Sequence, residues 1–179
     1  MKLLITIVIG LLVVGCASIN PEQKAIVEKA IRKSLKKPEG KLTKPDVGKV
    51  TVLGLKGTKI NDAGLKEVAK LQQLNKLDLS ISKITDAGLK EVAKLKQLDQ
   101  LTLTYTPITD EGLKEVGKLQ QLSWLNLYKT KVSDVGLKEV SKMKQLKVLG
   151  LVDNKITKAG VAQLKKALPK CIILSIPKK

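Results

Sequence analysis

The stretch ITDAGLKEVAKL (84–95) sets an Asp, a Glu and two Lys within twelve residues. Carboxylates and amines at that spacing on a helix could carry general acid–base chemistry. The string returns, however, as INDAGLKEVAKL at 60, ITDEGLKEVGKL at 108 and VSDVGLKEVSKM at 132, with a worn copy, ITKAGVAQLKKA, at 156. Asp62, Asp86, Asp110 and Asp134 form one column, and Glu67, Glu91, Glu115 and Glu139 another. Identical carboxylates on successive units mark scaffolding. The chain holds no His, so the usual base near neutral pH and the commonest transition-metal ligand are missing. An enzyme is not expected, and neither a catalytic residue, a cofactor nor a metal site is assigned.

The elements behind these strings repeat every 24 residues from Val47 onward. Leu53, Leu77, Leu101, Leu125 and Leu149 share one position, and Leu55, Leu79, Leu103, Leu127 and Leu151 share the position two residues later. Thr58, Ser82, Thr106, Thr130 and Asn154 follow, so each copy reads L-x-x-L-x-L-x-x-[T/S/N]. The period-two Leu pair predicts a short strand, and the TDAGLKEV segment a short helix. In that helix Thr85 caps, Asp86 favours the positive end of the dipole, Gly88 makes room for a neighbour and Glu91 pairs with Lys94. The hydroxyl or amide after the strand satisfies turn backbone. CIILSI (171–176) is expected to close the array one residue out of phase, with Cys171, Leu174 and Ile176 facing the core. Ahead of the repeats, NPEQKAIVEKAIRKSL predicts a helix capped by Asn20, with Pro21 first and Gln23 placed for a capping box. Its apolar stripe suits a cap over the first repeat, the alternative being a flexible tether.

The chain begins MKLLITIVIGLLVVGC, an apolar run of thirteen residues (3–15) behind one Lys and ending in Gly15-Cys16. Such a run is short for a permanent membrane span. It resembles the lipobox of bacterial lipoproteins, which implies cleavage ahead of Cys16, acylation of that residue and stable membrane anchoring through several acyl chains. Ala17 lacks the Asp associated with inner-membrane retention in enteric bacteria, which favours the outer membrane. The alternatives are an ordinary cleaved signal or an uncleaved hydrophobic helix with an incidental Cys. The expected division is 1–15 signal peptide, 16–46 lipidated N-terminus and helical cap, and 47–179 five repeats plus a closing strand.

From Val47 to Ile176 the chain resembles the leucine-rich-repeat superfamily. The TDAGLKE helix entry and ALPKC ending resemble a bacterial branch with ribonuclease-inhibitor-like units. The resemblance implies an α/β fold: a right-handed solenoid with a parallel concave sheet and short convex helices. It also implies protein binding as the usual task.

In such a solenoid the outward strand positions form three columns, with strands about 4.8 Å apart. They are Val52, Lys76, Gln100, Trp124 and Val148; Gly54, Asp78, Thr102, Asn126 and Gly150; and Lys56, Ser80, Thr104, Tyr128 and Val152. Trp124 and Tyr128 flank Asn126 on one strand, and Tyr105 lies at the neighbouring strand's exit; these are the chain's only aromatics. Trp and Tyr dominate binding hot spots, so Trp124, Tyr128, Tyr105, Asn126, Thr102, Thr104, Gln100 and Asp78 form the candidate partner-binding site. The alternative is that the aromatics merely cover their neighbours. The formal net charge of +18 comes with Lys ladders on the helix face, which read as a solvated face kept soluble by charge; the alternative is a structural or adhesive contact with anionic polymer or lipid. With Arg32 the sole arginine, base-reading and phosphate clamps are disfavoured and nucleic acid is not expected. A monomer is expected.

Overall fold

The computed structural model describes residues 20–176; the apolar segment 3–15, Cys16 and Ala17 lie outside them. Helices α1 (Pro21–Leu35) and α2 (Lys44–Gly48) precede a strict alternation. Strands β1 (Val52–Gly54), β2 (Lys76–Asp78), β3 (Gln100–Thr102), β4 (Trp124–Asn126), β5 (Val148–Gly150) and β6 (Ile172–Leu174) are separated by α3 (Asp62–Val68), α4 (Asp86–Val92), α5 (Asp110–Val116), α6 (Asp134–Val140) and α7 (Lys158–Ala167). The strands form one open parallel sheet in chain order. This is the leucine-rich-repeat solenoid expected from the sequence.

The Leu columns build the core. Leu53, Leu77, Leu101, Leu125 and Leu149 stand opposite one another in register. They and the second Leu column are each at most 2% exposed. Each buried Leu contributes about 1.5–3 kcal/mol of transfer free energy. The helices return Leu65, Leu89, Leu113 and Leu137 to the same core. At the strand exits, Thr58, Ser82 and Thr130 donate their hydroxyls to the carbonyls of Leu55, Leu79 and Leu127 at 2.7, 2.7 and 3.1 Å, the structural role expected.

The repeated carboxylates do more than favour a dipole. Asp62 accepts the backbone N–H of Thr85 at 2.8 Å and its hydroxyl at 2.6 Å. Asp86 holds Thr109 in the same way, Asp110 holds Ser133, and Asp134 holds Thr157. Each carboxylate thus fastens the helix cap of the following coil with two charge-assisted hydrogen bonds. Gly88, Gly112, Gly136 and Gly160 are where they are because a Cβ there would overlap the preceding coil's Asp. The final helix carries Lys158 at the Asp position.

At the N-terminal end α1 lays Val27, Ala30 and Ile31 onto the core. Asn20 caps it, accepting the N–H of Glu22 at 2.9 Å. The expected capping box does not form. Gln23 is only 2% exposed and reaches away, accepting the N–H of Asn61 at 3.0 Å and donating to the Lys59 carbonyl at 3.2 Å. Asn61 is the cap of α3, so Gln23 does for the first coil what Asp does for the rest. Docking outcompetes a local cap because a buried amide without partners would be costly. A capping box does form at α2, between Thr43 and Asp46.

The closing strand departs from expectation. β6 pairs in phase, with Ile173 opposite Leu149, and it is Ile173 that packs against the core. Leu174 and Ile176 face solvent, 54% and 72% exposed. Parallel pairing with β5 fixes the register, and a one-residue slip would reverse every side chain.

Candidate functional site

Parallel register brings the outward columns together on one sheet face. Trp124 lies between Gln100 and Val148, and Asn126 between Thr102 and Gly150. Trp124, Asn126, Gln100, Thr102, Thr104, Asp78 and Tyr128 are all half-buried, which leaves each a reachable edge. The geometry divides the polar members by role. Asn126 folds its amide oxygen back onto the N–H of Tyr128 at 3.0 Å. A Cβ at Gly150 would lie 2.7 Å from that oxygen, so the glycine gives the amide its space. Asp78 makes the same turn, accepting the N–H of Ser80 at 2.9 Å and its hydroxyl. Both are Asx turns, which hold the strand exit and leave part of each polar head for a ligand. Ser80 departs from the outward column, being only 2% exposed; its hydroxyl lies inward against Asp78.

Just past each of β1 to β5 runs a column that sequence reasoning missed. Gly57, Ile81, Tyr105, Lys129 and Asp153 all adopt positive φ, between 54° and 68°. For residues other than glycine, left-handed backbone costs about 1–2 kcal/mol each. The turn throws these side chains outward, and Tyr105 is 46% exposed. Its ring meets Tyr128 edge to face, with centroids 5.2 Å apart and planes at 80°. The Tyr105 hydroxyl points at that of Tyr128 across 3.5 Å, the outer limit of a hydrogen bond. Lys129 sets its ammonium 4.9 Å over the Tyr105 ring, a cation–π contact. The Tyr105 hydroxyl, and then the Asp153 carboxylate, push the Tyr128 phenol up to about 12.

The site is therefore a strip along β4, Trp124–Asn126–Tyr128, that turns at the strand exit onto Tyr105, Lys129 and Asp153. Lys129 and Asp153 share the 24-residue column of Tyr105, the one signal that could have found them. Aromatic faces, an amide, a carboxylate and an ammonium on an open surface are suited to recognition. Among the described residues no group of three His, Cys, Asp or Glu could hold a metal ion.

On the helix face, Lys70, Lys94, Lys118 and Lys142 pair with Glu67, Glu91, Glu115 and Glu139 at 2.7–2.8 Å. Such exposed pairs contribute at most about 1 kcal/mol. Lys114 pairs with Glu111. Lys66, Lys90 and Lys138 form no ion pair among the described residues.

A leucine-rich-repeat family model matches residues 70–93. Among solved structures, internalin C2 of Listeria monocytogenes superposes with a TM-score of 0.56 at 19% identity, covering 86% of this chain and 85% of that one. A leucine-rich-repeat protein of Leptospira interrogans superposes with a TM-score of 0.55 at 29% identity. That match covers 72% of this chain and 32% of the other, so this chain spans about a third of its length. No curated protein matches the sequence.

Proposed function

We propose that this chain is a non-enzymatic protein-binding module of the bacterial cell envelope, anchored by lipid on Cys16, whose partner sits on the concave strip around Trp124 and Tyr128. One observation carries the reading: all three aromatics of an aliphatic chain fall on β4, at its exit and at the exit of neighbouring β3. Tyr105 shares its left-handed backbone with Gly57, Ile81, Lys129 and Asp153, so the turn common to the coils is what aims its ring outward beside Tyr128. Asn126, Thr102, Thr104, Gln100 and Asp78 supply the polar rim that orients a partner's backbone. The likeness to bacterial leucine-rich-repeat proteins agrees with interaction as the task.

The double substitution Trp124→Ala/Tyr128→Ala tests the surface. The variant is expected to keep its circular dichroism and to lose capture of a partner from an envelope extract. Undiminished capture would sink the proposal. Cys16→Ser tests the anchor: the chain should leave the membrane fraction and take up no labelled palmitate.

A second reading rests on the net charge of +18 and on Lys66, Lys90 and Lys138, which form no ion pair among the described residues. It is adhesion of the helix face to anionic polymer or lipid. Retention on anionic vesicles that survives the aromatic double substitution and fades with salt would favour it.

A further inference from the structure

The two ends of the sheet are finished differently. At β1 the core lies under α1, and the Ser34 hydroxyl donates to the Val52 carbonyl at 2.7 Å. At β6 no described element covers the edge. Ile172 donates its N–H to the Lys147 carbonyl at 2.8 Å, and the Leu174 carbonyl accepts from Leu151 at 2.7 Å. Residues 172 and 174 thus face β5, and the N–H and C=O of Ile173 between them point outward. Ile172, Leu174 and Ile176 are 61%, 54% and 72% exposed. An apolar edge with open backbone groups is a template for another strand.

We infer that this edge joins a second copy of the same chain, β6 against β6, antiparallel about a two-fold axis through Ile173. The strand is self-complementary in that arrangement. Ile173 opposite its own copy exchanges two N–H···O bonds, and Ser175 N–H to Cys171 C=O, made twice, adds two more. Directly opposed residues share a face, so Ile172 stacks on Leu174 of the second copy on the outer side. On the core side Ile173 meets Ile173, beside half-buried Cys171, and joins the two hydrophobic cores. Lys170 falls opposite Ile176, which keeps like charges from facing one another. Growth into a filament would need β6 to add to β1, and α1 with Ser34 occupies that end. The two-fold pairing therefore closes on itself. So small a contact sits at the low end of stable interfaces, about 1,200 Å² or less, and gives a reversible dimer in place of the monomer expected from sequence.

Sedimentation of the full chain in neutral detergent across a concentration series tests the inference. The wild type should pass from monomer to dimer. Ile173→Pro should stay monomeric with unchanged circular dichroism, because the N–H it deletes makes no bond to β5. Should that variant misfold, Ile172→Lys/Leu174→Lys alters only outward side chains and should also abolish the dimer. A chain that is monomeric throughout, its edge left to some foreign strand, overturns the inference. So does a dimer that survives in a folded variant, which would assign the contact to another face or to segment 3–15.

Discussion

The carboxylate ladder can be tested where it is cleanest, at Asp134 and Gly160. A Cβ on Gly160 would overlap the Asp134 carboxylate, and the three nearest atoms all belong to that one side chain. Asp134 accepts the Thr157 N–H at 3.0 Å and its hydroxyl at 2.6 Å. Hydrogen bonds to a charged group contribute about 1.5–3 kcal/mol each when sheltered. These are exposed, so Asp134→Ala should cost about 2 kcal/mol for the pair. Gly160→Ala gains about 0.8–1 kcal/mol of helix propensity but expels the carboxylate and loses both bonds, for a net loss of about 1 kcal/mol. With Asp134→Ala already present nothing remains to expel, and Gly160→Ala should stabilise by about 0.8 kcal/mol. The two changes are thus coupled by about 2 kcal/mol. Urea unfolding of the four proteins, compared at equal m-value, measures this. Losses that add to within about 0.5 kcal/mol would refute the claim that the glycine column exists to seat the Asp column.

Gln23→Ala should unseat α1 by leaving the Asn61 N–H unpaired, costing about 1–3 kcal/mol; thermal melting reads it, and an unchanged midpoint would deny Gln23 its role. Ile81 is a β-branched residue at positive φ and is 52% exposed, so Ile81→Gly should raise the unfolding midpoint by relieving strain of about 1 kcal/mol. The Tyr128 phenol should ionise near 12 in an ultraviolet titration and return toward its ordinary range in Tyr105→Phe. Because that value is raised, whatever stability it lends is present below the ordinary tyrosine range and fades as pH climbs toward 12.

The core was readable because period-two and 24-residue patterns leave the Leu columns no other inside. Contacts between coils were harder. Asp62 and Thr85 stand 23 residues apart, and each has a complete local explanation, one as a dipole charge and the other as a cap. Their partnership shows only when successive coils are stacked. The written clue was the parallel run of Asp and hydroxyl columns, which stops at Lys158 in α7, the last helix among the described residues. Gln23 was misread for the same reason, since a capping box is the nearest partner in sequence and the Asn61 N–H the nearest in space. The strip around Trp124 was legible because aromatics are scarce here. Its extension to Lys129 and Asp153 was not, because nothing in those residue types announces a left-handed turn. Composition suggested a phase shift at β6 by matching Leu to Leu, while hydrogen bonding to β5 set the register.

The ladder also has a direction. Every carboxylate reaches forward, so a coil leaving the ribosome finds its fastening already in place on the coil before it, and no cap waits for residues still to be made. Removing coils from the C-terminal end leaves one idle Asp, whereas removing them from the N-terminal end strips a cap of its acceptor. Chains cut after Asp134 or after Asp110 should therefore stay ordered further along than chains of equal length begun at a later coil, a difference that limited proteolysis would read. Lengthening such an array by a duplicated unit needs no new chemistry, because each unit arrives with the Asp its successor will require.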